Sequence, residues 1–264
     1  MKYAFFKGCK IPNSLPEYEE STRFVLRELD VELIDMDFNC CGHQVKDRDY
    51  KTFIYSAVRN LAIAEQQNLT IMTPCKCCFG NLMHAHYHLK KNVNLKQEID
   101  LLLQEDGLEW SGENKPEHLL SVLRHDIGLE KIESCVVRKM DDFTIAAHYG
   151  CHALRPEKVV QFDNPFAPSI FEDLISVTGA KTVDWSRRLE CCGNPVLEKN
   201  RELSVTIMKN KFEDAQHSGA INICTACSYC QIQFDQVRKE EKLSDLYPEA
   251  ILFTQLLALS FGKE

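Results

Sequence analysis

The chain has 264 residues, long enough for one large or two modest domains, each with its own core. Its formal net charge of -8 argues against a nucleic-acid partner, because phosphates favour a basic face. The 13 cysteines are unusually many, and neither an N-terminal apolar leader nor a long apolar run is visible. We therefore expect a reducing, cytoplasmic setting without membrane insertion, where clustered cysteines hold metal or perform redox chemistry.

Three kinds of cysteine segment occur in the same order in each half of the sequence. The first is a Gly-Cys pair after an apolar run, the second is Cys-Cys-Gly, and the third is Cys-x-x-Cys. The first half contains Cys9, Cys40, Cys41, Cys75 and Cys78, and the second half contains Cys151, Cys191, Cys192, Cys227 and Cys230. This repetition predicts two structural units of one plan.

Each cysteine segment follows a short apolar run typical of a strand. Between these runs the spacing is helical, as in "LPEYEESTRFVLRELD", "DYKTFIYSAVRNLAIAEQQN" and "NRELSVTIMKNKFEDAQHSG". Alternating strands and helices predict the α/β class, with a small parallel sheet flanked by helices in each half. In such sheets functional groups collect beyond the carboxyl ends of the strands, where every cysteine segment is expected.

The domain boundaries follow from this repeat. We expect a first domain over residues 1–140, ending in a polar connector that contains one helix, "PEHLLSVLRHDI". The second domain is expected over residues 141–264. It closes with "PEAILFTQLLALSFG", which predicts an apolar helix docked on the core and too short to span a bilayer.

Five cysteines per half favour an iron-sulfur cluster over zinc. A structural zinc ion takes four ligands in a tetrahedron, so a fifth cysteine and an adjacent Cys-Cys pair are awkward for it. An iron-sulfur cluster accepts several thiolates at close range, and one thiolate can bridge two metals. The glycine after each Cys-Cys pair lets the backbone turn tightly beside a bulky group.

The patterns C-x30-CCG-x32-CxxC and C-x39-CCG-x33-CxxC resemble the tandem cysteine-rich CCG domain. The flanking segments "HYGCHALRPEKV", "ECCGNPV" and "CSYCQIQFD" resemble the B subunit of heterodisulfide reductase and its bacterial and sulfur-oxidising relatives. The resemblance extends from Met1 to about Gln236.

This resemblance implies an iron-sulfur catalytic subunit that cleaves or forms a disulfide. Each complete five-cysteine motif would bind one noncubane [4Fe-4S] cluster, and zinc in place of one cluster is the alternative. The implied partners are a C-type [4Fe-4S] ferredoxin-like subunit, a flavin-containing A-type subunit, and a small-molecule or protein-bound disulfide as substrate. A second interpretation makes the chain an electron relay in a larger oxidoreductase, without a substrate of its own.

Three cysteines fall outside the repeat. Cys77 has Tyr229 as its counterpart, and we interpret it as a bystander close to the first cluster. Cys224 makes "CTACSYC" a potential frame-shifted ligand set, but the alignment of "TACSYC" with "TPCKCC" favours Cys227 and Cys230. Cys135, in the connector, is interpreted as a buried small hydrophobe.

No catalytic residue is assigned from the sequence alone. His43 and His152 follow cysteine segments and are candidates to face a cluster as proton donors. "HAHYH", with His84, His86 and His88, is better interpreted as a solvated helix than as a metal site, because the middle residue faces the opposite side. Lys10 and Lys76 flank predicted ligands and could attract an acidic substrate or offset cluster charge.

Overall fold

The computed structural model describes residues 1–243 and 246–263. Ser244, Asp245 and Glu264, which fall within the predicted second domain, lie outside the described residues. In the part of the chain that is described, the strands form two four-stranded sheets in which every pairing is parallel. The predicted α/β class with two similar units is confirmed.

The two sheets have the same topology. In each sheet the second strand in chain order lies at one edge, followed across the sheet by the first, the third and the fourth. The strands of the first sheet are β1 (Lys2–Phe5), β2 (Glu32–Ile34), β3 (Ile71–Thr73) and β4 (Glu117–His118). Those of the second are β5 (Thr144–Ala147), β6 (Lys181–Thr182), β7 (Asn222–Thr225) and β8 (Glu249–Leu252).

Helices flank both sheets. In the first half they are α1 (Lys10–Ser14), α2 (Pro16–Glu28), α3 (Tyr50–Gln66), α4 (Lys76–Lys91), α5 (Val93–Glu105), α6 (Leu119–Ser121) and α7 (Leu129–Ser134). In the second half they are α8 (Glu157–Val160), α9 (Ile170–Ser176), α10 (Arg201–His217), α11 (Ser228–Ile232), α12 (Arg238–Glu240) and α13 (Phe253–Ser260). A 3₁₀ turn spans Asn194–Val196, and π-helical turns span Val122–Ile127 and Gln233–Val237.

The long helices α3 and α10 begin in the same way because the same kind of residue starts each one. Asp49 precedes α3 and accepts the backbone N–H of Thr52, at 3.0 Å. Asn200 precedes α10 and accepts the backbone N–H of Leu203, at 2.9 Å. Each cap satisfies an N–H that has no partner inside the helix, so the repeat preserves the signal that starts the helix.

Two predicted helices begin instead as strands. The segment "PEHLLSVLRHDI" opens with β4, continues as α6 and ends in a π-helical turn, and "PEAILFTQLLALSFG" opens with β8 before α13. Strand β4 pairs in parallel with β3, and β8 pairs in parallel with β7. A CxxC segment follows each of these partner strands, β3 and β7. Periodicity could not reveal them, because a short apolar run fits a buried strand as well as a buried helix.

The two halves pack against each other through shared cores. Phe79 of the first half contacts Phe162 of the second, with ring centroids 6.0 Å apart. Helix α13 packs against α2, and the hydroxyls of Ser21 and Thr254 lie 2.7 Å apart across that contact. Among the described residues, no helix combines the length and the apolar character that a membrane crossing requires.

Candidate metal centre

The cysteine segments lie where the parallel strands end. The chain runs from β1 to β2 on one side and returns to β3 on the other, so Cys9, Cys40 and Cys75 meet at a topological switch point. Cys75 is the N-cap of α4, and its thiolate is therefore favoured by the positive end of a 16-residue helix. In the second half Cys151, Cys191 and Cys227 follow the equivalent strands, and Cys227 is the N-cap of α11, a helix of five residues.

The ten repeat cysteines form a continuous line of thiol contacts. Within each half the order of contacts is the same. The first set is Cys9, Cys40, Cys41, Cys78 and Cys75, in that order, and the second is Cys151, Cys191, Cys192, Cys230 and Cys227. The two sets join where the Sγ atoms of Cys75 and Cys227 lie 3.9 Å apart. Equivalent residues of the repeat therefore meet in the buried region where the two halves join.

Burial increases along each set toward this junction. The outer thiols are half-buried: Cys9, Cys40, Cys151 and Cys191. The remaining six are buried: Cys41, Cys75, Cys78, Cys192, Cys227 and Cys230. Each set can thus be reached from one end, while its inner end is shielded from water.

Several thiols are held in conditions that favour the thiolate, which is the metal-binding form. Contacts with Cys41 and Cys9 lower the pKa of Cys40, and contacts with Cys151 and Cys192 lower the pKa of Cys191. The pKa of Cys75 is also lowered, chiefly by its contact with Cys227. The same contacts raise the pKa values of the neighbouring thiols Cys9, Cys41, Cys151 and Cys192, so Cys40 and Cys191 are the hydrogen-bond acceptors of their sets.

Glycines keep space open beside both sets. Gly8, before Cys9, has a φ of +66°, and a Cβ there would lie 2.7 Å from Sγ of Cys78. Gly150, before Cys151, has a φ of +70°, and a Cβ there would lie 3.2 Å from Nε2 of His148. Both positions require glycine for their backbone conformation, and any side chain would intrude on the thiols or their neighbour.

A buried histidine of the second half has a hydrogen to donate beside the thiols. His148 is 1% exposed, and among the described residues neither of its ring nitrogens finds a hydrogen-bond partner. A ring nitrogen of His148 and the sulfurs of Cys192 and Cys230 lie within 4.8 Å of one another. Burial lowers the pKa of His148, so its ring is neutral and carries one N–H donor. Sulfur atoms of a group bound to this set would accept that hydrogen, because buried donors are rarely left unpaired.

A small cavity of about 20 Å³ lies beside the second set, and all five cysteines of that set line it. His43, Cys77, His152 and Tyr229 help to line it. The ring of His43 lies 5.8 Å from that of His152 and 5.2 Å from that of Tyr229, measured between centroids. The cavity therefore receives side chains from both halves, and the two histidines predicted to face a cluster lie together.

A larger pocket opens at the outer end of the first set. Its volume is about 200 Å³, and Cys9 and Cys40 help to line it. Phe38 and Met36 give one wall an apolar surface, and Lys7 contributes a positive charge. Solvent can therefore reach the outer end of the first set through this pocket.

The remaining cysteines lie outside the line of thiols. Cys77 is buried and lies with His43 and His152, whose potential ligand atoms are within 4.8 Å of its own. Cys224 is buried within β7. Cys135 is only half-buried, with its sulfur 3.7 Å from the carbonyl oxygen of Glu28, so the prediction of a buried residue was too strong.

The structure corrects two predictions about polar residues of α4. His86 is not solvated: it is 3% exposed, and its Nε2 lies 3.2 Å from the carbonyl oxygen of Gly112. His84 and His88 stack on the other face, with ring centroids 5.7 Å apart. Lys76 is 2% exposed and therefore cannot attract a substrate from solvent, which leaves the offset of cluster charge as its available role.

His118, at the end of β4, is a buried residue that the sequence did not indicate as part of the site. Its Nε2 lies 3.2 Å from the carbonyl oxygens of both Pro74 and Ala226, which immediately precede the two CxxC segments. Its Nδ1 accepts the backbone N–H of Leu120, so Nε2 carries the hydrogen. Burial lowers the pKa of His118 to about 3, which keeps the ring neutral. No motif identifies this residue, because the strand that carries it was not predicted.

The fold and the thiol line define a class: a tandem α/β protein with two equivalent five-thiol sets suited to metal binding. The profile of the cysteine-rich domain family, CCG, matches residues 3–83 and 145–235. The chain belongs to this family, and within it to the proteins similar to the B subunit of heterodisulfide reductase. The family resemblance inferred from the sequence is confirmed.

Three relatives illustrate the range of the family. The chain is 32% identical to the B subunit of the "Ferredoxin/F(420)H(2)-dependent CoB-CoM heterodisulfide reductase" of Methanosarcina acetivorans, over 99% of this chain and 89% of that protein. It is 32% identical to a protein of Archaeoglobus profundus described as similar to the B subunit of heterodisulfide reductase, over 99% and 91%. It is 29% identical to the "8-methylmenaquinol:fumarate reductase membrane anchor subunit" of Wolinella succinogenes, over 99% and 92%. These likenesses support an iron-sulfur oxidoreductase subunit of a larger complex.

A solved structure supports the fold alone. The chain superposes on a hypothetical protein from Helicobacter pylori with a TM-score of 0.76 and 14% identity. The match covers all of this chain and 49% of that protein, so this chain spans about half its length.

Proposed function

We propose that this chain is the subunit at which a heterodisulfide-reductase-like complex cleaves or forms a disulfide. The observation that carries the proposal is the line of ten thiols, in which two equivalent five-cysteine sets meet at Cys75 and Cys227. The names of two relatives, which describe parts of heterodisulfide reductases, support it.

In this proposal each set holds one noncubane [4Fe-4S] cluster. The first set comprises Cys9, Cys40, Cys41, Cys75 and Cys78, and the second comprises Cys151, Cys191, Cys192, Cys227 and Cys230. The chemistry of the donors fits such a group, as do the space beside Gly8 and the N–H donor of His148. Bound clusters would supply single electrons and iron to which sulfur can bind.

The protein's own contribution is to position the disulfide and provide protons. Cleavage converts one S–S bond, two electrons and two protons into two thiols. His43, His152 and Tyr229 bring exchangeable protons to the cavity beside the second set. Burial raises the pKa of Tyr229, so its hydroxyl keeps its proton at neutral pH. The buried inner thiols exclude water from the same place.

The wider setting is also a proposal. A ferredoxin-like C-type subunit and a flavin-containing A-type subunit would deliver electrons, in the cytoplasm, to a small-molecule or protein-bound disulfide. We also propose that residues 1–140 and 141–264 are the two repeat units. The alternative cofactor content is one cluster and one zinc ion.

An electron relay is the second candidate function. The relative named as part of a fumarate reductase places the same domain in a reductase of another substrate. A continuous thiol line would suit electron transfer from one cluster to the next. In this case the clusters would be reduced and reoxidised without any dependence on a disulfide.

Metal analysis and turnover test the proposal in sequence. We expect about eight irons and eight sulfides per anaerobically purified chain, with little zinc. With an artificial reductant, the loaded protein should then cleave a disulfide into two thiols. About four irons with one zinc would leave one half structural, and zinc alone would contradict the redox function. Reducible clusters without disulfide turnover would favour the relay.

A further inference from the structure

Equivalent positions of the repeat differ in charge around the two thiol sets. Lys211 of α10 is fully buried, and its counterpart in α3 is the buried amide of Asn60. Lys211 Nζ donates to the backbone carbonyl oxygens of Arg187 and Glu190, on the segment that leads into Cys191. Asn60 instead donates to the carbonyl oxygens of Ser56 and Cys40. A cation therefore stands beside the second set where a neutral amide stands beside the first.

The residues inside the CxxC segments add to this difference. Lys76 follows Cys75, yet its Nζ crosses into the second half and donates to the carbonyl oxygen of His148, at 3.0 Å. Its ammonium lies over the rings of Tyr149 and Phe171, 5.2 and 4.4 Å from their centroids. The counterpart of Lys76 is Ser228, whose hydroxyl crosses in the other direction and lies 3.1 Å from Sγ of Cys75. Each set receives a side chain from the opposite half, but the one that reaches the second set is charged and the other is neutral.

His148 provides a third difference. Its counterpart before the first cysteine is Phe6, a fully buried hydrocarbon ring. The second set thus has a buried N–H donor close to Cys192 and Cys230, and the equivalent position beside the first set holds a ring without any donor. The first set has a buried donor elsewhere, since Nδ2 of Asn81 lies 3.5 Å from Sγ of Cys41, so the difference in charge rests on Lys76 and Lys211.

Other charges near the sets do not cancel this asymmetry. Lys7, Lys10 and Lys46 lie near the first set, but all three side chains are partly exposed, and solvent screens an ammonium there. Glu172 approaches Lys76 but forms an ion pair with Arg188 at 2.8 Å. The ammonium groups of Lys76 and Lys211 both donate to backbone carbonyl oxygens, which holds each charge in place beside the second set.

We propose that Lys76, Lys211 and His148 raise the reduction potential of the cluster at the second thiol set above that of the first. Reduction adds negative charge to a cluster, and a buried cation stabilises that charge strongly because little water screens it. Hydrogen bonds to cluster sulfurs act in the same direction, and net charge and solvent exposure are established determinants of such potentials. The second cluster is therefore reduced first, and the first cluster, beside the 200 Å³ pocket, is the stronger reductant.

This inference rests on the proposed function, since it needs both clusters. The experiment is a redox titration of the full chain, loaded with iron-sulfur clusters under anaerobic conditions. Electron paramagnetic resonance measures the reduced clusters at each potential. We expect two midpoint potentials. Lys211→Asn gives the second half the amide that the first half has at Asn60. This variant should lower the higher midpoint potential by at least about 59 mV, which for one electron is a tenfold change in the reduction equilibrium constant. The lower potential should stay in place.

The reciprocal variant and two controls complete the test. Asn60→Lys should raise the lower potential, and it tests the inference independently if Lys211→Asn does not retain its clusters. Lys211→Arg should keep the original potentials, and Lys181→Asn should also do so because Lys181 is exposed on β6. A chain without two clusters would contradict the proposed function, and with it this inference. If two clusters are present and neither Lys211→Asn nor Asn60→Lys changes their potentials, only the inference about the potentials is overturned.

Discussion

At the scale of single residues, thiol contacts separate the predicted ligands from neighbouring cysteines more clearly than spacing alone. Cys224 and Cys227 are three positions apart and both buried, but only Cys227 belongs to the line of thiol contacts. Cys227→Ala should therefore remove about half of the bound iron, whereas Cys224→Ala should leave the iron content unchanged. Iron and sulfide analysis of both variants checks this. Equal losses would support the frame-shifted ligand set.

His118 illustrates a residue whose role depends on tertiary structure. Its single Nε2 hydrogen faces the carbonyl oxygens that precede both CxxC segments. His118→Phe fills the space but leaves these buried oxygens without this donor, so it should lower the free energy of unfolding by about 2–3 kcal/mol. Urea unfolding measures the change. The exposed His125→Phe is the matched control, and an equal loss there would contradict the role of His118.

The ten repeat cysteines stand out in the sequence alone, because each lies in a motif that occurs twice. His118, His148 and Lys211 do not, since they carry no motif and gain their surroundings only when distant segments pack together. Comparison of the two halves does contain a signal for Lys211 and His148: a charged or polar residue replaces Asn60 or Phe6 at an equivalent buried position.

At the scale of elements, the fourth strand of the first sheet has an unusual electrostatic environment. Glu117 of β4 is partly buried beside Asp126, and burial with this second carboxylate raises its pKa to about 7. Because the folded-state pKa lies above the ordinary value, the folded chain binds the proton more tightly. This stabilisation is complete below the unfolded pKa and is lost as the pH rises through about 7.

Glu117→Gln should remove this dependence. Between pH 5 and pH 8 the free energy of unfolding should fall by about 1 kcal/mol less in the variant than in the parent chain, a value reduced because the side chain is partly exposed. Urea unfolding at both pH values tests the prediction, and other groups cancel in the comparison. Parallel pH profiles would contradict the assignment. The strand itself went unpredicted because two residues give no periodicity.

At the scale of the whole molecule, the two repeat units are joined by extensive contacts. Phe79 packs on Phe162, α2 packs on α13, and Lys76 is enclosed by rings of the other half. Residues 1–140 expressed alone should therefore lack a cooperative unfolding transition, because the loss of these contacts would expose apolar surface. Circular dichroism during urea unfolding checks this. Coexpression with residues 141–264 should restore the transition, and a cooperative isolated fragment would contradict the prediction.

The meeting of Cys75 with Cys227 has a further consequence. Contact between equivalent residues is typical of a two-fold symmetric interface, as in a dimer of identical subunits. In such a dimer, every substitution would appear beside both thiol sets at once. Joining the two copies in one chain removes that restriction, so an amide can remain in one copy while an ammonium occupies its counterpart. A single chain can therefore vary the surroundings of each thiol set separately, while the two sets still share one interface.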